Sequence, residues 1–140
     1  MLNKVNKIFF LFAVIITFSF RVHAGDLNSA LKLLEDRNVN EALIELNLLS
    51  DAGDIEAQFV LGTLYDVSEA IVPRDLTKAV SFYHKAAEQG HTKSQFYLGQ
   101  MYRNGDGVEK DPDEAFKWYT LAALAGYSDA QYDLGMSYSY

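Results

Sequence analysis

An internal repeat is the feature of this 140-residue chain that most constrains its fold. The string AQFVLG at residues 57–62 returns as SQFYLG at 94–99 and as AQYDLG at 130–135. A second string, AVSFYHKAAEQG at 79–90, returns as AFKWYTLAALAG at 115–126. The period of 36 to 37 residues indicates a solenoid, in which each unit buries its apolar face only against its neighbours.

Both strings have the spacing of amphipathic helices. Ala57, Leu61 and Tyr65 in the first string are four residues apart and share one helix face. The second string has the same three- and four-residue spacing from Ala79 onward, and a weaker copy of it occupies residues 42–53. The unit is therefore a helix pair, helix A then helix B. We predict an all-α fold, a short right-handed α-solenoid of antiparallel helix pairs.

Turn residues bound helix B, and glycines interrupt helix A. Asp75 and Asp111 suit the N-cap of helix B, and Gly53, Gly90 and Gly126 suit the left-handed residue that ends it. Glycine inside helix A loses about 1 kcal/mol against alanine, so its recurrence predicts a crossing too close for a Cβ. The glycines of these crossings are Gly62, Gly99 and Gly135, and the small residues expected opposite them are Ala79, Ala86, Ala115 and Ala122.

The first 24 residues have the pattern of a secretory signal peptide that precedes the solenoid. Lys4 and Lys7 come before an apolar run from Ile8 to Phe20. This run of 13 residues is too short to cross a hydrocarbon core of ~30 Å at ~1.5 Å per residue. We therefore expect cleavage near Gly25 and a periplasmic or secreted chain with no stable membrane span.

Charge and cysteine content exclude several classes of partner and chemistry. Cleavage would remove three of the 12 basic residues and none of the 19 acidic ones, leaving a formal charge of −10. Nucleic acid and anionic membrane surfaces are poor partners for such a chain. With no cysteine, the chain has neither disulfides nor thiol chemistry nor cysteine-ligated metals.

The repeated strings resemble the Sel1-like repeat, which is akin to the tetratricopeptide repeat. The resemblance is carried by Ala-x-x-x-Leu-Gly-x-x-Tyr, then NGDGV at 104–108, then Ala-x-x-Trp-Tyr-x-x-Ala-Ala-x-x-Gly, and it covers about residues 40–140. The loop at 66–73 departs from it, because it lacks Gly-Asp-Gly, and we expect another shape there. The predicted segments are a signal peptide (1–24), an atypical N-terminal helical hairpin (25–53), two repeats (54–90 and 91–127) and the helix A of a partial third (128–140).

The resemblance implies a protein-binding adaptor, assembly or regulatory module rather than an enzyme, with no catalytic residue and no cofactor. The alternative is a hydrolase acting on the cell wall or on β-lactams, as associated with cysteine-rich relatives. Against it stand the lack of cysteine and of a Gly-x-Ser-x-Gly or Ser-x-x-Lys motif.

By analogy with tetratricopeptide grooves, helix A lines a concave face that binds a protein or peptide partner. An aromatic residue at the same place in each unit would form an apolar ladder for an extended or helical peptide. Alternatively, these aromatic side chains only pack between adjacent A helices. The predicted partner-binding residues are Phe59, Thr63, Asp66, Phe96, Gln100, Arg103, Tyr132 and Met136.

Metal binding and self-association are weighed separately. The turn at 104–107 lacks the ligand order of an EF-hand, and His84 and His91 lack a third ligand at regular spacing, so no metal is expected. The helix from Ser128 to Tyr140 would carry Leu134 and Tyr138 on an outer face. A homodimer through this helix is one possibility, and a frayed terminus is the other.

Overall fold

Seven α-helices and no strand make up the described part of the chain. The computed structural model describes residues 26–67 and 70–137, with side chains as far as residue 135. The predicted signal peptide, the side chain of Met136 and all of Tyr138 lie outside the described residues. The predicted all-α solenoid is confirmed. The helices are α1 Leu27–Glu35, α2 Val39–Asp51, α3 Ile55–Val67, α4 Leu76–Glu88, α5 Thr92–Asn104, α6 Pro112–Leu124 and α7 Ser128–Ser137.

Each helix packs against the helices before and after it in the chain. Helices α3 and α4 form the first A–B pair, α5 and α6 the second, and α7 is a further helix A. The apolar core is therefore a series of clusters between neighbouring helices. Their centres are Leu46 with Leu61, Tyr83 with Met101, and Leu98 with Trp118. None of the helices in the described ranges is long and apolar enough to cross a membrane.

The predicted boundaries of helix B are confirmed. Asp75 accepts a hydrogen bond from the backbone N–H of Lys78, and Asp111 accepts bonds from the second and third residues after it. Gly90 and Gly126, which end the two B helices, have φ of 89° and 87°. Only glycine adopts this left-handed conformation at little cost.

The predicted close crossings exist in both complete pairs, but the closing group differs from the expectation. A Cβ at Gly62 would lie 2.6 Å from Cδ1 of Tyr83, and one at Gly99 would lie 3.0 Å from Cδ1 of Tyr119. The flat face of a tyrosine ring, rather than an alanine, therefore occupies the space that the glycine leaves. At Gly135 a Cβ would meet no described atom within 4 Å.

A glutamine ladder joins each helix B to the following helix A. In every copy of the first string, the glutamine amide donates to a carbonyl eight residues earlier, near the end of the preceding helix B. Sequence analysis gave these glutamines no role. The bonds are Gln58 Nε2 to Ser50 O at 3.1 Å, Gln95 Nε2 to Ala87 O at 3.2 Å and Gln131 Nε2 to Ala123 O at 3.1 Å.

The two A–B loops close at equivalent points although only one contains Gly-Asp-Gly. The backbone N–H of Asp75 donates to Tyr65 O at 2.9 Å, and that of Asp111 donates to Tyr102 O at the same distance. In the second loop, Gly107 has φ 71°, and a Cβ there would overlap the backbone carbonyl of Leu76. This glycine is therefore required by a contact between successive units.

Candidate functional site

The predicted partner-binding positions recur on the A helices with spacings of four and three residues, which place them along one face of each helix. Phe96 is only 7% exposed, whereas Tyr132 on α7 is 69% exposed. Whether they bind a partner stays a prediction. We call the surface formed by Phe59, Thr63, Asp66, Phe96, Gln100, Arg103 and Tyr132 the A-helix face.

Aromatic rings connect the A-helix face across the units. The Phe59 ring lies 4.7 Å from the His91 ring and 6.0 Å from Tyr83. One unit later, Phe96 lies 5.0 Å from Tyr127 and 5.7 Å from Tyr119. Phe59 and Phe96 thus make the packing contacts between successive units that the alternative to partner binding predicts. Each ring also contacts the residue just before the next helix A, His91 or Tyr127.

A groove opens between successive B–A turns at the edge of this face. It is lined by Glu56 and Phe59 of α3, by His91 and Lys93 at the start of α5, and by Tyr127 before α7. We call this surface the turn groove. It combines three rings with one acidic and one basic side chain, so it offers both apolar contact and charge to a bound side chain.

His91 is the N-cap of α5. Its Nδ1 accepts from the backbone N–H of Ser94 at 3.3 Å and lies 2.8 Å from Ser94 Oγ, while its Nε2 lies 3.5 Å from Glu56 Oε1. Nδ1 must therefore be unprotonated and Nε2 carries the proton. Burial lowers the pKa of His91 below its ordinary value of 6.5, against the opposing effect of Glu56.

Serine, histidine and glutamate in a row are the constellation of a hydrolase, and its geometry here argues against that use. Ser94 is 0% exposed, so no substrate reaches its hydroxyl. His91 Nδ1 is also engaged by the helix N-terminus, which fixes the ring as a cap. The arrangement can stabilise α5, but it cannot present a nucleophile to a bound substrate.

Tyrosine hydroxyls of helix B reach the A-helix face differently in the two units. Tyr83 Oη lies 3.4 Å from Thr63 Oγ1 and 3.4 Å from Asp66 Oδ2. The hydroxyl of Tyr119 is buried without a hydrogen-bond partner among the described residues. Burial raises the pKa of Tyr83 well above its ordinary value and that of Tyr119 to about 12, so both stay neutral.

Arg103 covers the second tyrosine. Its guanidinium carbon lies 5.6 Å from the centroid of the Tyr119 ring, and its Nη1 lies 3.4 Å from Asp133 Oδ2 on α7. The structure thus brings Arg103 together with two residues that sequence analysis did not single out for this face. The 36-residue repetition of the helix B tyrosine could have indicated Tyr119, but nothing local to the sequence pairs Arg103 with Asp133.

Within the described ranges, no three His, Asp or Glu side chains lie close enough together to hold a metal ion. His84 lies within α4, with its Nδ1 3.4 Å from Glu88 Oε1 and its ring 5.4 Å from the Trp118 ring. His91 lies instead at the N-cap of α5.

Comparison with known proteins identifies the repeat. The family model of the Sel1 repeat matches residues 55–91, 92–127 and 128–140, more than half of the chain. Among solved structures, a protective antigen of uropathogenic Escherichia coli strains with an SLR fold superposes with a TM-score of 0.73 at 31% identity. That alignment covers 87% of this chain and 28% of the antigen.

Two curated relatives have similar repeats within longer proteins. DAP3-binding cell death enhancer 1 of Rattus norvegicus is 35% identical over 98 residues, which are 70% of this chain and 19% of that protein. The exopolysaccharide production negative regulator of Rhizobium leguminosarum bv. viciae is 47% identical over 58 residues, 41% of this chain and 22% of that protein. This chain therefore spans about a fifth of the length of either relative.

Proposed function

This chain belongs to the Sel1 repeat family, and we propose that it is a non-enzymatic module that binds a partner protein in the bacterial cell envelope. It would act there as an adaptor, an assembly factor or a regulator. The observation that carries the proposal is the turn groove, which is lined by Phe59, His91 and Tyr127 and joins the A-helix face. Grooves with aromatic walls and a few placed charges are typical of protein recognition.

The names of the relatives support a binding or regulatory role. One is called a binding protein and another a negative regulator, and neither name states a catalytic activity. Within the described residues, the serine beside the His91–Glu56 pair is Ser94, whose hydroxyl is inaccessible. We therefore propose binding without chemistry. The hydrolase alternative predicts turnover of a chromogenic β-lactam by the purified chain, which we do not expect.

Site-specific photo-crosslinking in the native cell tests the binding surface. A photoreactive phenylalanine analogue placed at Gln100 or Lys93 should give one common crosslinked partner. The same analogue at Ser81, which is exposed on α4, is the matched control and should give no such product. A partner that is captured from Ser81 and not from the other two positions would place the interface on the B helices and contradict the proposal.

Export is a separate part of the proposal and rests on the charge and length of the apolar run in residues 1–24. A fusion of these residues to a reporter enzyme that is active only outside the cytoplasm should be active, with a mature N-terminus near Gly25. A fusion in which Lys4 and Lys7 are replaced by glutamate should lose most of that activity. Retention of the uncleaved fusion in the cytoplasm would refute export.

A further inference from the structure

The two complete units differ in polarity at one place on the A-helix face. In the first unit Thr63 and Asp66 accept the hydroxyl of Tyr83. At the equivalent positions the second unit has Gln100 and Arg103, so the acceptors of the first unit are replaced by side chains that donate.

The first-unit end of the face offers acceptor oxygens. Arg74 donates through Nε to the backbone carbonyl of Asp66 at 2.7 Å, but its guanidinium contacts the Asp66 carboxylate only at 3.8 Å, and half of the Arg74 side chain is exposed. Such exposed pairs are weak. The carboxylate and the Thr63 hydroxyl oxygen therefore keep lone pairs for a donor, and an ammonium or guanidinium group meets that requirement.

The second-unit end offers donors. Tyr119 is 6% exposed, and its hydroxyl has no hydrogen-bond partner among the residues described. A buried hydroxyl without a partner costs free energy, and an acceptor supplied by a ligand would remove that cost. Arg103 lies over the ring, has an exposed side chain and makes one contact to Asp133, so most of its five N–H donors remain available.

We propose that the A-helix face binds an extended segment of its partner with fixed polarity. A cationic side chain of the segment lies at Thr63 and Asp66, and a carboxylate lies at Arg103 and Tyr119. Binding of that carboxylate moves Arg103 from the ring and gives the Tyr119 hydroxyl its missing acceptor. This inference rests on the proposed function, because it specifies the partner for the same face.

The spacing of the two ends sets the length of the ligand. The Phe59 and Tyr97 rings, 6.2 Å apart, join α3 to α5, and neighbouring packed helices lie about 8–10 Å apart. In an extended segment of polyproline II geometry, the chain advances about 3.1 Å per residue and every third side chain returns to the same face. The cation and the carboxylate should therefore be three residues apart. Suitable probes are the blocked tetrapeptides Lys-Ala-Ala-Glu, Lys-Ala-Ala-Lys and Glu-Ala-Ala-Glu, all of the same length.

Titration of the isotope-labelled chain with each tetrapeptide, followed by NMR, tests the polarity. Lys-Ala-Ala-Glu should shift the signals of Asp66 and Arg103 and bind about tenfold more tightly than either single-sign peptide, because it adds one charge-assisted hydrogen bond. Tyr119→Phe should remove about that tenfold advantage without lowering the thermal stability. Tyr65→Phe, which lies on α3 but outside the A-helix face, is the control and should retain it.

The possible failures are distinguishable. Equal affinity of all three peptides for the A-helix face would overturn the polarity and leave the proposed function intact. Shifts confined to the outer residues of α4 and α6 would contradict both. The absence of any shift up to about 10 mM, well above a Kd of 1 mM, would overturn the polarity, and the crosslinking result would then decide the function.

Discussion

Glycine and tyrosine form matched partners at the helix crossings. Gly62 lies under the ring of Tyr83, and Gly99 lies under the ring of Tyr119. The Tyr83 ring also stacks 5.4 Å from Tyr97, and its hydroxyl bonds to the A-helix face. A single side chain thus sets the distance between helices and supplies a polar group to the surface on which we propose that a partner binds.

The Gly62→Ala and Gly99→Ala variants measure this packing. The new Cβ would be 2.6 Å from the ring in the first case and 3.0 Å in the second. Overpacking costs about 1–3 kcal/mol, and the better helix propensity of alanine offsets about 1 kcal/mol. Urea unfolding should show a clear loss for Gly62→Ala and a smaller one for Gly99→Ala. The reverse order would contradict the crossing geometry.

His91 gives the stability of the chain a pH dependence. Because burial lowers its pKa in the folded chain, the unfolded chain binds the proton more readily. The stabilising contribution is therefore complete above pH 6.5 and is lost as the pH falls through the folded-state pKa. Protonation of Nδ1 would also remove the acceptor that caps α5.

Unfolding by urea between about pH 8 and pH 5 checks this sign. His91→Asn keeps a capping oxygen and should abolish this part of the pH dependence. His84→Asn removes the other described histidine, which is partly exposed on α4, and should leave it in place. The prediction fails if the His91→Asn variant follows the pH profile of the unaltered chain.

At the scale of the element, the contact between a helix B and the next helix A has both an apolar and a polar part. The glutamine ladder supplies the polar part, because each amide adds a second donor to a carbonyl at the end of a helix that also accepts the backbone N–H three residues later. Gln89 at the end of α4 donates to Gln58 Oε1 at 2.7 Å. Since Gln58 on α3 itself donates to Ser50 O at the end of α2, it bridges the ends of α2 and α4. The ladder therefore fixes the register between units as well as adding stability.

Replacing single glutamines of the ladder tests whether burial increases the contribution of this hydrogen bond to the free energy of unfolding. Gln95 is buried, and Gln131 makes the same bond at an exposed place. Gln95→Ala should lower the free energy of unfolding by about 1–1.5 kcal/mol, because it removes a buried hydrogen bond while Ala87 O still accepts from the N–H of Gly90. Gln131→Ala should cost less than about 1 kcal/mol. Equal losses in thermal or urea unfolding would indicate that burial does not control the effect.

At the scale of the whole molecule, the units depend on one another because no pair has a core of its own. The cluster of Ala87, Leu98 and Trp118 takes one residue from each of three successive helices. Such sharing makes stability a sum over neighbouring interfaces, and in a short array it predicts one cooperative transition. A homodimer through α7 stays a prediction, and light scattering of the purified chain checks it.

Trp118, the only tryptophan, allows a direct test of cooperativity, because it is 5% exposed and lies between units. Its fluorescence and the far-UV circular dichroism should follow the same urea curve. Leu98→Ala, which empties part of the same cluster, should shift both curves together by about 2–5 kcal/mol. Separation of the two curves would show that the units unfold independently.

The sequence by itself determined the helix pairs, their order and the residues at which helix B begins and ends. Period, capping residues and C-terminal glycines act within one helix or turn, so they can be read from local spacing. It also located the close crossings at Gly62 and Gly99, since glycine inside a helix needs a packing reason.

Only the tertiary structure decided which side chains of different helices are in contact. That a tyrosine ring closes each crossing, that His91 caps α5 beside Glu56, and that Arg103 pairs with Asp133 all depend on the angle and distance between helices. These contacts join residues 20 to 35 positions apart, where periodicity specifies the face of a helix but not the side chain that its neighbour places there. The repeat shows which side chains differ between the units on the A-helix face, but only those contacts show which of their donors and acceptors are already engaged.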